Sequence, residues 1–232
     1  MAIHGSRLQA ESPNTCQFCA VDTLDREVDA WDRPLLASPN FYVVPSLGAL
    51  VEGWLLIVPR RHFISAAEIG DDLAEELWEI TGLVRDLLAK HYGPVWLFEH
   101  GPATAMRSVG CGVDHAHVHL VPMVGDLIRT ARAFLPHGVA FRAANFSSCR
   151  DEWRKGADYL FVDAPDARGA AAATAPSLGS QIFRKAIAEL VGRPHQFDWK
   201  SDACVDNIYR TIDRVGADLL ALQSTISVVS GL

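Results

Sequence analysis

The sequence predicts an α+β fold: an antiparallel β-meander with one long helix, followed by a mainly helical C-terminal extension. Runs of β-branched and aromatic residues at 41–44 and 53–58 predict two strands before a long helical pattern. Two further runs, at 95–100 and 114–122, predict strands after it. The extension offers one clear strand pattern, at 159–162, and is otherwise helical or irregular.

Composition and charge limit the classes of function. The chain has 232 residues, of which 49% are hydrophobic, and no apolar run long enough to span a bilayer. A net charge of −7 argues against nonspecific nucleic-acid binding. Five cysteines, an odd number, and no apolar leader in residues 1–13 favour a reduced, cytoplasmic protein without a membrane partner.

The first part divides into an arm, residues 1–13, and a domain, residues 14–125. Ser65, with Glu68 three residues later, has the pattern of a helix N-cap with a capping box. Apolar residues keep helical spacing over 71–91, which predicts one long amphipathic helix. A Gly-Pro pair ends this helix before the third strand.

The extension, residues 126–232, has a weaker pattern. Residues 164–180 are rich in Ala, Gly and Pro, which predicts a mobile loop. Ser180 then has the residue type of an N-cap for a helix, and a last helix is expected from about Asp202.

The strand at 114–122 carries three histidines, His115, His117 and His119, that alternate with apolar residues. On a β-strand this alternation places all three imidazoles on one face, with neighbours roughly 6.5–7 Å apart. The three rings can then act around one phosphate as ligand or brace, nucleophile and proton donor. The alternative is a polar strand face that carries histidines by chance, which nine histidines in 232 residues disfavour.

Three motifs, taken together in their order and spacing, resemble the histidine triad (HIT) superfamily of nucleotide hydrolases and transferases. They are Cys16-x-x-Cys19, the strand that ends in Pro59-Arg60-Arg61-His62, and His115-x-His117-x-His119. The resemblance covers about residues 14–125. The runs 180–185 and 197–200 resemble the tail of HIT-related proteins that carry a C-terminal extension.

The resemblance implies two-step nucleotidyl transfer. His117 matches the family nucleophile, which attacks the α-phosphorus, and His119 would donate hydrogen bonds to the phosphate oxygens. A neutral imidazole is a competent nucleophile near pH 7, and a backbone carbonyl is the usual device that holds one tautomer.

The substrate is left open by the sequence. The implied nucleotide substrates are dinucleoside polyphosphates, nucleoside phosphoramidates or adenylylated metabolites, with release of AMP. One alternative is nucleotidyl transfer to a sugar phosphate or another phosphate acceptor. The other is a non-catalytic nucleotide-binding or RNA-processing scaffold.

A structural zinc site is implied for Cys16, Cys19, His62 and His115, which match the ligand positions of zinc-containing members of the superfamily. Two thiolates at C-x-x-C spacing and two imidazoles complete a tetrahedral set. The alternative is a pair of incidental cysteines, with His62 in contact with phosphate or core.

The segment before the triad is a candidate phosphate site. Gly110, Cys111 and Gly112 are small residues whose backbone N–H groups could form an anion nest. The family commonly has Ser or Thr where Gly112 stands, so backbone donors, Arg107 or a group from the extension would have to substitute. For Arg107, a solvated loop arginine is the equal alternative.

Other candidate substrate contacts differ from the family. Ser46 stands where an Asp or Asn usually binds the ribose, and Leu47 stands where an apolar residue packs on the base. Glu99 replaces a frequent Asn; a carboxylate near a phosphate is unfavourable unless it meets an amine, a cation or a water. The neighbouring His100 is expected to be a loop histidine.

Gln181 and Arg184 lie in the first turns of a predicted helix, where an N-terminus and basic side chains attract anions. We expect this helix to close over the site, with a packed appendage or dimer element as the alternative. Because family members often pair through the long helix and an adjacent strand, we also expect a homodimer. Trp78 and Leu83 could equally belong to an intramolecular core.

Overall fold

A computed structural model of the protein describes residues 16–23, 29–106, 109 and 112–229, with side chains at 16–21, 29–106, 109 and 112–223. Its strands are β1 (Leu36–Ala37), β2 (Phe41–Pro45), β3 (Leu55–Pro59), β4 (Val95–Gly101), β5 (Val118–Pro122), β6 (Arg142–Ala143), β7 (Asp158–Asp163) and β8 (Ala170–Ala175). Its α-helices are α1 (Asp71–Tyr92), α2 (Leu127–Ala131), α3 (Phe146–Arg154), α4 (Ile182–Leu190) and α5 (Val205–Val229).

The strands of the described residues form one antiparallel sheet, in the order β1-β2-β3-β5-β4-β7-β8-β6. The predicted α+β class, with an antiparallel meander and one long helix, is therefore confirmed. The catalytic-strand candidate β5 lies between β3 and β4, near the centre of the sheet. A central strand is paired along both edges, so its side chains are held more rigidly than those of an edge strand or a loop.

The long helix begins later than the capping pattern suggests. Ser65 caps a separate 3₁₀ turn at Ala66–Glu68, where its side chain accepts a hydrogen bond from the backbone N–H of Ala67. Extended backbone at Ile69 and Gly70 then separates this turn from α1. The helix boundary predicted at 71–91 agrees with the observed one, and Gly93, at φ 88°, ends the helix in a conformation that favours glycine.

The extension is mainly helical, as predicted, but it also adds three strands to the same sheet. The predicted loop over 164–180 is wrong for β8, which pairs with β7 from Asp163↔Ala170 to Asp158↔Ala175. The cause is tertiary: backbone pairing with a buried neighbour outweighs the low β-propensity of alanine. The expectation of a single strand in the extension is wrong for the same reason.

Two helix starts in the extension also differ from the predictions. The residue that directly precedes α4 is Gln181, which has a left-handed conformation with φ 55°. Gln181 therefore occupies the N-cap position of α4, and Ser180 does not. The last helix, α5, begins at Val205 instead of about Asp202. Both differences are small, and both helices exist where helical spacing predicts them.

The two faces of the sheet carry different layers. Helices α1 and α3 and the middle of α5 cover one face, on which Val118 and Leu120 of β5 are buried. Helices α2 and α4 and residues 16–21 cover the other face, together with Trp54 and Phe98. His119 contacts this second face. The extension therefore supplies the helix that covers the histidines.

Part of the surface expected to form a dimer is covered by the chain itself. Helix α5 packs on α1 and β1, and β4 is paired on both edges, by β5 and β7. The Trp78 ring lies 4.9 Å from that of Phe146, and Leu83 packs against the same core. These contacts favour the intramolecular alternative for Trp78 and Leu83, and the homodimer stays a prediction.

Among the described residues, no helix has the length and apolar character needed to cross a membrane.

Candidate catalytic site and metal centre

The triad lies at the start of β5, where the chain enters the sheet. His115 and His117 precede the first strand residue, Val118, and His119 is inside the strand, opposite Leu56 of β3 and Phe98 of β4. The rings of His117 and His119 have centroids 4.7 Å apart. The intervening apolar residues enter the opposite core, as the alternation predicts. The strand is shorter than the predicted 114–122, and the two rings are closer than the predicted distance of roughly 6.5–7 Å because side chains tilt toward each other from the backbone.

The tautomer of His117 is set by a backbone carbonyl. Its Nδ1 lies 2.7 Å from the carbonyl oxygen of His115, and because that oxygen can only accept, Nδ1 must carry the proton. Burial lowers the pKa of His117, assisted by the Arg184 cation, although the carbonyl opposes the shift. The neutral ring therefore has its lone pair on Nε2, the form required of a nucleophile.

The tautomer of His119 is set in the opposite sense. The indole Nε1–H of Trp54 donates to its Nδ1 at 3.0 Å, and an indole can only donate. Burial, and then the neighbouring His117, holds the pKa of His119 well below its usual value. The neutral ring must carry its proton on Nε2, which is buried and has no hydrogen-bond partner among the described residues. An N–H donor is thus presented beside the lone pair of His117.

Cys16, Cys19, His62 and His115 come together in one cluster, with ligand atoms all within 4.8 Å of one another. His115 Nε2 donates to the carbonyl of Pro59 at 2.8 Å, so its Nδ1 lone pair faces Cys16 Sγ at 3.3 Å. His62 Nδ1 lies 3.3 Å from Cys19 Sγ. The sequence therefore identified four residues that do meet.

The donor set fits zinc. Zn–S bonds of about 2.3 Å and Zn–N bonds of about 2.0 Å in a tetrahedron place sulfur and nitrogen roughly 3.5 Å apart. The Sγ–Nδ1 distances of 3.3 and 3.6 Å from Cys16 and Cys19 to His115 agree with this geometry. Burial raises the pKa of the Cys16 thiol to about 12 when no cation is near, so a metal is what would hold this sulfur as a thiolate.

A small cavity of about 40 Å³ lies beside His117 and His119. Its other lining residues come from seven separate stretches of the chain: Gln17, Phe18, Trp31, Pro45, Ser46, Leu47, Leu56, Val113, Arg184 and Trp199. Ser46 and Leu47 are thus brought to the site, as predicted, with the Ser46 hydroxyl 3.3 Å from the carbonyl oxygen of Leu47. Arg184 and Trp199 show that the extension closes one side of the cavity.

Arg184 is the only arginine among the described residues to line this cavity, and it is buried, with 1% of its surface exposed. Its Nε donates to the carbonyl of Phe197 at 2.8 Å, and its guanidinium lies 4.8 Å from the Trp54 ring. Gln181 does not line the cavity; its amide nitrogen is 3.4 Å from Asp198 Oδ1. The prediction of a substrate contact is therefore favoured for Arg184 and not for Gln181.

The segment before the triad is described in part. Arg107, Gly110 and Cys111 lie outside the described residues. Gly112 has φ 87°, and a Cβ built there would lie 3.0 Å from the ammonium nitrogen of Lys200. The extension thus places a cation where the resemblance leads one to expect a hydroxyl.

Two residues of β4 have roles other than those predicted. Glu99 is on the face opposite the triad, where it accepts hydrogen bonds from the Ala66 N–H at 2.7 Å and from the Tyr159 hydroxyl. The prediction of Glu99 as a substrate contact is wrong, because strand alternation turns it into the opposite core. Burial raises its pKa to about 7.

His100 is a buried strand residue on the triad face instead of a loop histidine. Its ring lies 5.9 Å from that of His119, between Phe98 and Phe183. Burial lowers the pKa of His100 to about 3, with smaller effects from His117 and Arg184. A neutral His100 thus packs behind His119, among buried aromatic rings.

Sequence reasoning missed Trp54, Phe18 and Lys200. Trp54 fixes the His119 tautomer, and Phe18 lies 5.5 Å from both His115 and His117. Period two on β3 places Trp54 on the same face as Leu56, but the register with β5 is needed to bring it to His119. No sequence signal links Lys200 to Gly112.

Comparisons with known proteins gave matches among solved structures only. No protein-family model and no curated protein matches the chain. It is similar to a solved hypothetical histidine triad nucleotide-binding protein from Sulfolobus tokodaii, with 24% identity and a TM-score of 0.39, over 48% of this chain and 71% of that one.

Two further solved structures give the same result. A Zn-bound histidine triad family protein from Mycobacterium smegmatis is 17% identical, with a TM-score of 0.40, over 49% of this chain and 78% of its own. A HIT family hydrolase from Clostridium thermocellum is 21% identical, with a TM-score of 0.35, over 47% of this chain and 90% of its own. All three of these solved structures are described as histidine triad or HIT family proteins, and each likeness extends over about half of this chain.

Proposed function

We propose that the protein is a nucleotide phosphohydrolase or nucleotidyltransferase that acts at an α-phosphate through a covalent intermediate on His117. The observation that carries this proposal is the pair of opposite tautomers. His117 has a lone pair on Nε2, and His119 has an N–H on Nε2, on rings 4.7 Å apart. One ring can attack phosphorus while the other donates to its oxygens.

In the first step, Nε2 of His117 would form a bond to the α-phosphorus while the bond from phosphorus to the leaving group breaks, at oxygen in a polyphosphate or adenylylated metabolite and at nitrogen in a phosphoramidate. The imidazole gains positive charge as the P–N bond forms, and the His115 carbonyl supports that charge because it accepts the Nδ1–H. The leaving group departs with the electron pair of the broken bond. His119 would stabilise the charge on the equatorial oxygens.

In the second step, an oxygen of water or of an acceptor phosphate would form a bond to the phosphorus while the P–Nε2 bond breaks. The electron pair of that bond returns to Nε2, which restores the neutral ring, and an attacking water releases its proton to solvent. Ser46 and Leu47 would contact the nucleoside, and buried Arg184 would bind phosphate oxygens. The cavity of about 40 Å³ would hold only part of a nucleotide, so we expect the side formed by Arg184 and Trp199 to move on binding. Zinc held by Cys16, Cys19, His62 and His115 would be structural: all four ligand positions are protein atoms, and the ion would tie the N-terminal segment to β5.

Dinucleoside polyphosphates, nucleoside phosphoramidates and adenylylated metabolites are the substrate classes to test. AMP release from one member of each class would be measured with zinc-replete wild type, His117→Ala and the exposed control His137→Ala. We expect turnover in wild type and control, and loss of at least about 10³-fold in His117→Ala. A radiolabelled nucleotidyl group retained after denaturation should appear only when His117 is present. Full activity of His117→Ala would exclude this mechanism.

One observation favours a phosphorylated acceptor as a second candidate. Lys200 is exposed and lies next to Gly112, so its ammonium group would bind the phosphate of an acceptor that enters from solvent. Adding a sugar phosphate to the assay distinguishes transfer from hydrolysis, because transfer yields a new nucleotidyl product in place of AMP. Nucleotide binding without turnover of any class would instead support the scaffold alternative.

A further inference from the structure

A second concave surface lies in the extension, apart from the triad. It encloses about 310 Å³ and shares no lining residue with the cavity beside His117. Its polar lining comes from α2 and the turn after it, from β6, and from the β7–β8 connection: Asp126, Arg129, Arg132, Arg142 and Arg168. We call this surface the arginine groove. Four guanidinium groups and one carboxylate therefore line it, in a chain whose net charge is −7.

The carboxylate of the groove is already engaged. Asp126 Oδ2 lies 2.9 Å from Arg168, and Asp126 Oδ1 accepts the backbone N–H of Arg129 at 2.9 Å. Arg168 also pairs with Asp166 at 2.7 Å and lies 5.0 Å from the Trp96 ring. Arg168 is thus neutralised and held in place, as one fixed wall of the groove.

The other three arginines have no such partner. Arg129, Arg132 and Arg142 are exposed, and within the described part of the chain none of them forms an ion pair. Like charges around one concavity repel one another, and a bound anion would remove that repulsion. The guanidinium fork matches the oxygens of a phosphate in a bidentate arrangement.

The size and floor of the groove indicate a small ligand. Phe141 and Ala171 form the floor of the groove, and each of them has 8% of its surface exposed. Ile128, which is partly buried, lies beside them. A volume of about 310 Å³ is at the lower end of the range for small-molecule sites. A polynucleotide would extend from this confined groove over a surface of net negative charge, which disfavours it.

We propose that the arginine groove binds a small phosphorylated molecule, separately from the triad. Inorganic pyrophosphate is the probe, and binding is measured by titration calorimetry on the full chain. Arg129→Gln/Arg132→Gln is compared with Arg154→Gln/Arg210→Gln, a control that removes two exposed arginines from α3 and α5. We expect two binding events in wild type and control, one at the triad cavity and one at the groove. Loss of two charge-assisted contacts should weaken the groove event by at least about tenfold.

Several outcomes separate the possibilities. Unchanged pyrophosphate binding in Arg129→Gln/Arg132→Gln, with an unchanged melting temperature, would overturn the proposal. Groove-dependent binding of a single-stranded RNA oligonucleotide but not of pyrophosphate would also overturn it, in favour of a polyanion surface. The groove event should persist in His117→Ala, and AMP release should persist in the groove variant, so this proposal and the proposed function can fail independently.

Discussion

At the scale of single residues, the two central histidines are set in opposite tautomers by partners that cannot exchange roles. A carbonyl oxygen has no proton to give, and an indole nitrogen has no lone pair to offer. The contacts of His117 with the His115 carbonyl and of His119 with Trp54 therefore determine both rings, provided that they are neutral. Burial supplies that condition, because it lowers the pKa of both imidazoles.

The role of Trp54 can be tested by Trp54→Phe, which keeps an aromatic ring and removes the Nε1–H. His119 would lose the donor that fixes its tautomer, so we expect kcat to fall about tenfold. Nitrogen NMR of the imidazole should show Nε2 of His119 only partly protonated. Trp153→Phe is the control, since its indole donates to the Pro102 carbonyl away from the triad. An unchanged kcat together with a fully protonated Nε2 would contradict this role.

Glu99 provides a prediction on pH. Burial raises its pKa from 4.5 to about 7, so the folded state keeps a proton that the unfolded state releases above its lower pKa. The free energy of unfolding should therefore decrease as pH rises from about 4.5 to about 7, by on the order of 3 kcal/mol from this group.

The measurement is urea unfolding of wild type, Glu99→Gln and the exposed control Glu75→Gln at pH 5 and pH 8. Glu99→Gln should be less sensitive to pH than wild type and more stable at pH 8. Glu75→Gln should follow wild type. Equal pH dependence in all three proteins would contradict an effect of Glu99.

At the scale of secondary-structure elements, β8 is a buried strand where the composition of its sequence predicts a loop. Ala173, in the middle of β8, is 1% exposed and pairs with Leu160. A glutamate there would place an unpaired charge in the core, so Ala173→Glu should destabilise the fold by about 3 kcal/mol or more. Ala167→Glu, in the exposed turn before β8, should change stability by less than about 0.5 kcal/mol. Equal melting temperatures for the two variants would mean that β8 is not a buried strand.

Helix α4 shows how an element can be predicted while its function is not. Its apolar spacing identifies a helix, and its basic residues suggest anion binding. In the folded protein, the Arg184 side chain lies over the Trp54 ring, whereas the Gln181 side chain lies beside Asp198. Which of the two reaches the cavity depends on the packing of α4 against the sheet, and periodicity carries no information on that contact.

At the scale of the whole molecule, the cysteine-histidine cluster ties distant parts of the chain together. Cys16 and His115 are separated by 99 positions, and their ligand atoms are 3.3 Å apart. We expect one zinc per chain. Its removal by a chelator should cost several kcal/mol of stability, because a preformed site does not exist in the unfolded chain.

Metal analysis and thermal unfolding test this expectation. Cys16→Ser should lose zinc and melt at a lower temperature, whereas Cys204→Ser, outside the cluster, should keep both the metal and the wild-type melting temperature. Full zinc content in Cys16→Ser would exclude Cys16 as a ligand. Loss of zinc from both variants would indicate a general loss of folding instead.

The sequence by itself determined the local features: the strands around the long helix, the single face of the three histidines, and the four residues of the metal cluster. The strands, the helix and the histidine face follow from period two and period 3.6, which are properties of neighbouring residues. The four residues of the metal cluster came from the resemblance to the histidine triad superfamily, because they are far apart in the chain. Tertiary structure alone decided that β8 forms, that Glu99 faces away from the triad, that Trp54 and Arg184 reach the triad side, and that Lys200 lies beside Gly112. Strand register and helix packing bring together residues far apart in the chain, and local pattern does not contain that information.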